Sequence, residues 1–262
     1  MLVTTSYEPS AEQLEQAHSL AGKLGGRLVP RRQMTLAHLR QRFGREDGEE
    51  GILVITKERL EYHHGGRQPL FFHPSTASIR IKRLNLGERD PLLELCGIKP
   101  GDRVLDCTAG LGSDAIVFSH AVGPLGAVTA LESALIPGFL LSRGVSSYQS
   151  DVPGLNEAMR RIDVRTLDHL EFLRSQPDNS YDIVFFDPMF RKPITESASI
   201  RAIRGLADER ALSPESVAEA RRVARRAVVL KEHRDSQEFE RLGFLVERRP
   251  STKIAYGVIR CS

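Results

Sequence analysis

The chain has 262 residues, 40% hydrophobic and 27% charged, a balance that supports a full core and argues against disorder. Its 37 basic and 34 acidic residues leave a formal net charge of +3, which excludes a histone-like polycation but not a local basic face. The three cysteines, Cys96, Cys107 and Cys261, form no CxxC pair, so a reduced interior is expected and a cysteine-based zinc site is not.

The start, MLVTTSYEPS, has neither a basic nor an apolar leader pattern, and a cytoplasmic location is expected. Residues 1–85 read as a separate small α/β unit. A strand near Leu2–Thr5 leads to the helical pattern AEQLEQAHSLAGKLG, which stops at Gly25-Gly26. GRLVPR reads as a strand and TLAHLRQRF as a second helix. GILVIT, RLEYHH and PLFFHP then read as three strands. His63, His64 and His73 suggest a metal, but adjacent strand residues point to opposite faces, so no metal site is expected. Arg80, Lys82 and Arg83 form a basic patch near the boundary, a candidate RNA contact.

From residue 86 to 262 the rhythm is strand, helix, strand. RVLDCT, AVTALE, IDVRTLD, YDIVFFD and RAVVLK are short strands spaced by helix-length segments, the pattern of a doubly wound, mostly parallel sheet. The apolar stretch 121–141 contains Glu132, Pro124 and Pro137 and reads as strand plus helix, not as a membrane span. SPESVAEARRVARR is a helix with Ser213 as N-cap and Pro214 at its first position; its arginines Arg221, Arg222, Arg225 and Arg226 read as a solvated face. The final FLVERRPSTKIAYGVIR is two strands joined directly, so at least one is antiparallel.

The first strand of this larger domain runs into Gly110-x-Gly112 and a helix, a turn through which a nucleotide approaches the backbone. It lacks the third glycine of the dinucleotide fingerprint and the lysine of a P-loop. Asp106, Glu132, Asp168 and Asp187 stand at or near the ends of four successive strands, on the edge where ligands bind in open α/β sheets. One acid after a strand is a helix cap as often as a ligand-binding group; four in order, with the glycine turn, are harder to ascribe to capping. Such an edge repels a triphosphate and suits S-adenosylmethionine, which carries a sulfonium, an ammonium and a ribose.

Asp106-CTAGLGSD, Glu132 and Asp187-Pro188-Met189-Phe190 resemble class I S-adenosylmethionine-dependent methyltransferases, and more narrowly the small-subunit ribosomal RNA guanine-N2 methyltransferase family. The likeness is good over roughly residues 95–195. It implies a seven-stranded sheet with an antiparallel last strand. It also implies cofactor contacts: Asp106 on the ligand edge, Gly110, Gly112, Ser113 and Asp114 at the methionine end, Glu132 and Ser133 at the ribose, Asp168 and His169 near the adenine. Asp187 would face both cofactor and target amine, with the Pro188 carbonyl as a second acceptor. Phe190 would stack a flipped base, Met189 would line its pocket, and Arg191, Lys192 and Lys231 would hold phosphates; Lys231 has Glu232 as an alternative partner. The first unit would assist substrate binding. Departures begin at Arg191-Lys192-Pro193, and the downstream ASIRAIRGLADE differs from the family's lysine-rich run.

Methyl transfer to guanine N2 of ribosomal RNA is therefore the leading expectation. A DNA or protein amine methyltransferase is the nearest rival, and a non-catalytic cofactor- or RNA-binding module the next. A nicotinamide dehydrogenase is more distant. Hydrolase chemistry has no supporting motif.

Overall fold

The structure, a computed structural model, describes residues 1–45, 50–65, 68–189, 205–208, 210–247 and 252–261. Among these the chain forms two compact units, one of Met1–Phe72 and one from His73 onward. The division falls before the expected position near residue 85. The reason is helix α3 (Ser75–Asn85), which packs through Ala77 and Ile81 within the second unit and sends Arg80 to Asp90 and Asp114 there.

In the first unit, β1 (Leu2–Thr5) pairs in parallel with β2 (Arg27–Leu28) and β3 (Ile52–Ile55), and β4 (Leu60–His63) runs antiparallel to β3. Helix α1 (Ala11–Lys23) starts in a capping box between Ser10 and Gln13, and α2 (Leu36–Phe43) starts on the Thr35 hydroxyl. Leu2, Val29, Leu39, Ile52 and Val54 form the core of this unit. PLFFHP is not a strand: among the described residues, Leu70 makes a single bridge to Tyr62. His63 Nε2 lies 3.1 Å from Glu61 Oε2, and no group of three or more metal-ligating side chains occurs among the described residues.

The second unit is built on a seven-stranded sheet. Its strands are β5 (Arg103–Asp106), β6 (Ala127–Glu132), β7 (Ile162–Thr166), β8 (Tyr181–Phe186), β9 (Ala224–His233), β10 (Leu245–Glu247) and β11 (Ile254–Arg260). They lie in the order β10-β11-β9-β8-β5-β6-β7. The five strands from β7 to β9 are parallel, and β11, the last in sequence, is antiparallel to both β9 and β10. The order reverses between β5 and β8, which makes their carboxyl ends the topological switch point.

Around the sheet lie α4 (Pro91–Cys96), α5 (Ser113–Val122), α6 (Leu135–Ser147), α7 (Leu155–Arg160), α8 (His169–Ser175), α9 (Pro214–Val223) and α10 (Glu238–Arg241). Phe185 and Phe186 are fully buried and point to opposite faces of β8: Phe185 meets Phe118 of α5 at 5.3 Å, and Phe186 meets His169 of α8 at 5.6 Å. Helix α9 starts as expected on Ser213 and Pro214 but ends at Val223. Arg225 and Arg226 belong to β9, where they bond Asn179 O and Asp182, and Gly97 O and Asp102. Among the described residues no helix is long and apolar enough to cross a membrane.

Candidate active site

The glycine turn leaves β5 at the switch point. Asp106 is buried and its Oδ1 accepts the Thr108 N–H at 3.2 Å. Burial, reinforced by the Asp114 charge, pushes its carboxyl well above the ordinary range. Gly110 has φ +55 and Gly112 φ +80. A Cβ on Gly112 would stand 2.5 Å from Leu141 Cδ1, so space and dihedral both call for glycine. Gly112 then caps α5, and the Oγ of Ser113 is buried with no hydrogen-bond partner among the described residues.

Glu132 closes the turn from the next strand. Its Oε2 accepts the Gly110 N–H and its Oε1 the Ala134 N–H, both at 2.9 Å. Burial raises its carboxyl against these two bonds. Ser133 beside it is exposed. At the third strand, Asp168 stands two residues past β7 and is the N-cap of α8, accepting from Leu170 and Glu171 while Oδ2 takes Arg210 at 2.6 Å. His169 Nε2 lies 3.1 Å from Ser216 Oγ, and burial lowers its pKa against the opposing charges of Asp168 and Asp208.

Asp187 leaves β8 beside the turn. Its backbone N–H donates to Thr108 Oγ1 at 2.5 Å, so the glycine turn and the Asp187-Pro188 step are tied together. Lys231, inside β9, donates from Nζ to Asp187 Oδ2 at 2.7 Å and to Asp114 Oδ2 at 2.8 Å. Asp114 in turn takes Arg80 on Oδ1 at 2.5 Å, and Arg80 grips both oxygens of Asp90, at 2.7 and 2.9 Å. A continuous charge chain thus runs Asp90–Arg80–Asp114–Lys231–Asp187.

Its electrostatics separate the two central acids. Burial alone would raise Asp114, but Lys231 and Arg80 overcome it and hold the carboxyl at about 2. Asp187 is pushed up to about 6 by burial and by the Asp114 charge, with Lys231 opposing. For Lys231, burial works against the ammonium, yet Asp114 and Asp187 raise it above the usual lysine value. Asp187 keeps 25% of its side chain exposed and is open to a ligand.

Asp106, Gly110, Gly112, Ser113, Asp114, Glu132 and Asp187 therefore converge on one sheet edge. Lys231 neither reaches out toward a phosphate nor takes its neighbour Glu232 as the partner of its ammonium; it lies between two site carboxylates, Asp114 and Asp187. Arg80 is not a surface contact but part of the charge chain, while Lys82 and Arg83 are exposed. Phe190, Arg191 and Lys192 lie outside the described residues. Thr108 and Arg210 were not expected at the site. For S-adenosylmethionine the fit is chemical: an acid-lined edge faces a cation, Ser113 Oγ is an unused buried donor and acceptor, and Gly112 leaves the turn no side chain.

Comparison with known proteins bears on this arrangement. A family model described as "Putative SAM-dependent methyltransferase" matches residues 36–255. The chain is 41% identical over 261 residues, the full length of both, to the Bacillus subtilis protein named "Uncharacterized protein YpiP". It is 30% identical over 236 residues, 86% of each chain, to the ribosomal RNA small subunit methyltransferase J of Nitrosococcus oceani. Among solved structures, the SAM-dependent methyltransferase NGO1261 from Neisseria gonorrhoeae superposes over 99% of this chain and 96% of its own, with a TM-score of 0.59 at 17% identity, a likeness of fold.

Proposed function

The chain belongs to the SAM-dependent methyltransferase family, and on that premise we propose that it methylates an exocyclic amine of ribosomal RNA, with guanine N2 as the target atom. S-adenosylmethionine supplies a methyl group already activated on a sulfonium. The observation that carries the amine assignment is Asp187-Pro188, fixed at the end of a buried strand by Thr108 and Lys231. The relative that is named a ribosomal RNA small subunit methyltransferase supports RNA as the polymer.

An exocyclic base amine is a poor nucleophile because its lone pair is delocalised into the ring. Asp187 accepts one N–H of that amine and the Pro188 carbonyl the other, which draws the nitrogen toward tetrahedral geometry. Pro188 keeps Asp187 extended and has no N–H to compete for the amine's partners. With its pKa near 6, Asp187 is mostly ionised at pH 7 yet basic enough to take the proton that the methylated nitrogen releases. Glu132, Ser113 and Asp114 hold the cofactor at the turn. Orientation and fixed charge supply most of the rate.

The test is transfer of labelled methyl from S-adenosylmethionine to small ribosomal subunits, stripped RNA and DNA, followed by nucleoside digestion. Label in N2-methylguanosine from RNA or subunits supports the proposal. Label in DNA or in ribosomal protein would favour the other amine substrates, which a D-P acceptor also fits.

A further inference from the structure

Residues 16–45 contain no aspartate or glutamate, yet hold six arginines and one lysine. The run covers the end of α1, the exposed two-residue edge strand β2, and α2. Its arginines are organised by aromatic rings and carbonyls. Arg27 and Arg42 lie over the ring of Phe43 at 5.5 and 5.4 Å, which joins the edge strand to α2. Arg31 lies over Tyr7 at 4.6 Å and donates to Met34 O. Arg40 donates to the carbonyls of Glu50 and His63. Arg32 is exposed, at φ +47.

Among the described residues, none of these seven cationic side chains bonds a carboxylate. Several arginines of the second unit behave otherwise: Arg80, Arg210, Arg222, Arg226 and Arg241 each pair with an acid, whereas Arg160, Arg161 and Arg260 bond backbone carbonyls. Arginine neutralised inside the fold serves structure; arginine held on rings without a counter-charge remains available to an anion. Guanidinium forks match phosphate oxygens two at a time, and guanidinium–aromatic pairs also stack on bases. A membrane surface would call for a larger apolar anchor beside the charge than the half-exposed Tyr7 and the edge-strand Leu28 provide.

We propose that this face of the first unit is an RNA-binding surface, with Arg27, Arg32 and Arg42 contacting phosphates. The inference rests on RNA being the substrate and names the part of the chain that engages it.

The experiment uses the full-length protein and a fluorescent hairpin of small-subunit ribosomal RNA, titrated by anisotropy across a salt series. The variant R27E/R32E/R42E should bind at least tenfold more weakly, and its slope of log affinity against log salt should fall by about two. R27K/R32K/R42K should keep most of the salt slope. S-adenosylmethionine affinity should be unchanged in both, and the melting temperature of the charge-reversed protein should fall only slightly, because all three side chains are exposed and only the ring contacts of Arg27 and Arg42 are lost. Unchanged RNA affinity and slope in the charge-reversed protein would overturn the surface, as would a loss seen only with vesicles of anionic phospholipid. Failure of the reaction is separable: a protein that binds RNA through these arginines but methylates none of it retains the surface and loses the proposed chemistry.

Discussion

Lys231 Nζ stands 2.7 Å from Asp187 and 2.8 Å from Asp114, so one buried ammonium serves two carboxylates on neighbouring parts of the site. Neither acid can be changed without altering the other. Asp114, also gripped by Arg80, is the more strongly stabilised anion; Asp187, at the end of the chain, is the one left near 6. The arrangement keeps the carboxylate beside the proposed target amine basic while leaving it attached.

The first prediction concerns pH. The acidic limb of kcat should report Asp187, with an apparent pKa near 6. Asp106, Asp114, Lys231 and Tyr256 are the titratable groups that interact with it. Of these, Lys231 favours the ionised form. Lys231→Met should therefore move the limb to higher pH and lower kcat at pH 7 by tenfold or more. A limb that stays in place would show that Lys231 does not tune Asp187.

Arg80→Ala should destabilise the protein by about 3 kcal/mol, because it removes the ion-pair partner of buried Asp90 and one of the two partners of buried Asp114. Arg165→Ala breaks an ion pair whose partners are both 52% exposed and should change stability by less than about 0.5 kcal/mol. Urea unfolding compares the two. Equal effects would contradict a buried charge chain.

The linkage of Asp114 has a definite sign. Its native pKa, about 2, lies below the unfolded value of 3.8, so its contribution is full above pH 4 and disappears as pH falls toward 2. Asp187 acts oppositely: raised to about 6, it favours the folded state at low pH and loses that contribution as pH rises from 4 to 6. Asp187→Asn should therefore increase stability at pH 7 relative to pH 4, which denaturation at the two pH values reads directly.

Glu132→Gln should weaken S-adenosylmethionine binding by roughly tenfold in calorimetry, because Gly110 or Ala134 loses a charged acceptor and the turn loosens. Gly112→Ala should cost about 1–2 kcal/mol for its left-handed backbone. Adding Leu141→Ala removes the 2.5 Å clash but also opens a core cavity, so the double variant should be less stable than Leu141→Ala alone by the backbone strain. Equal stability of the double variant and of Leu141→Ala alone would mean that sterics alone require the glycine.

Much of this site is legible in the chain. Strand periodicity locates β5, β6, β8 and β9, and the acid that ends or directly follows each of the first three marks the ligand edge. Long-range pairing is not legible: Lys231 and Asp114 are 117 residues apart, and no local pattern couples them. Arg80 reads as surface because it sits beside Lys82 and Arg83, yet it follows Ala77 by three residues and precedes Ile81, placing it on the buried face. Arg225 and Arg226 extend the helical pattern of α9, but sheet pairing from Ala224 onward overrides it. PLFFHP has strand composition without a partner strand to extend beyond one bridge.

The most direct measurement is single-turnover methyl transfer to small ribosomal subunits by wild type and Asp187→Asn, with S-adenosylmethionine affinity measured in parallel. Asparagine keeps the size of the side chain and removes its charge. If Asp187 activates the amine, the transfer rate falls at least a hundredfold while cofactor affinity changes by less than a few fold. Transfer at the wild-type rate by Asp187→Asn would contradict it.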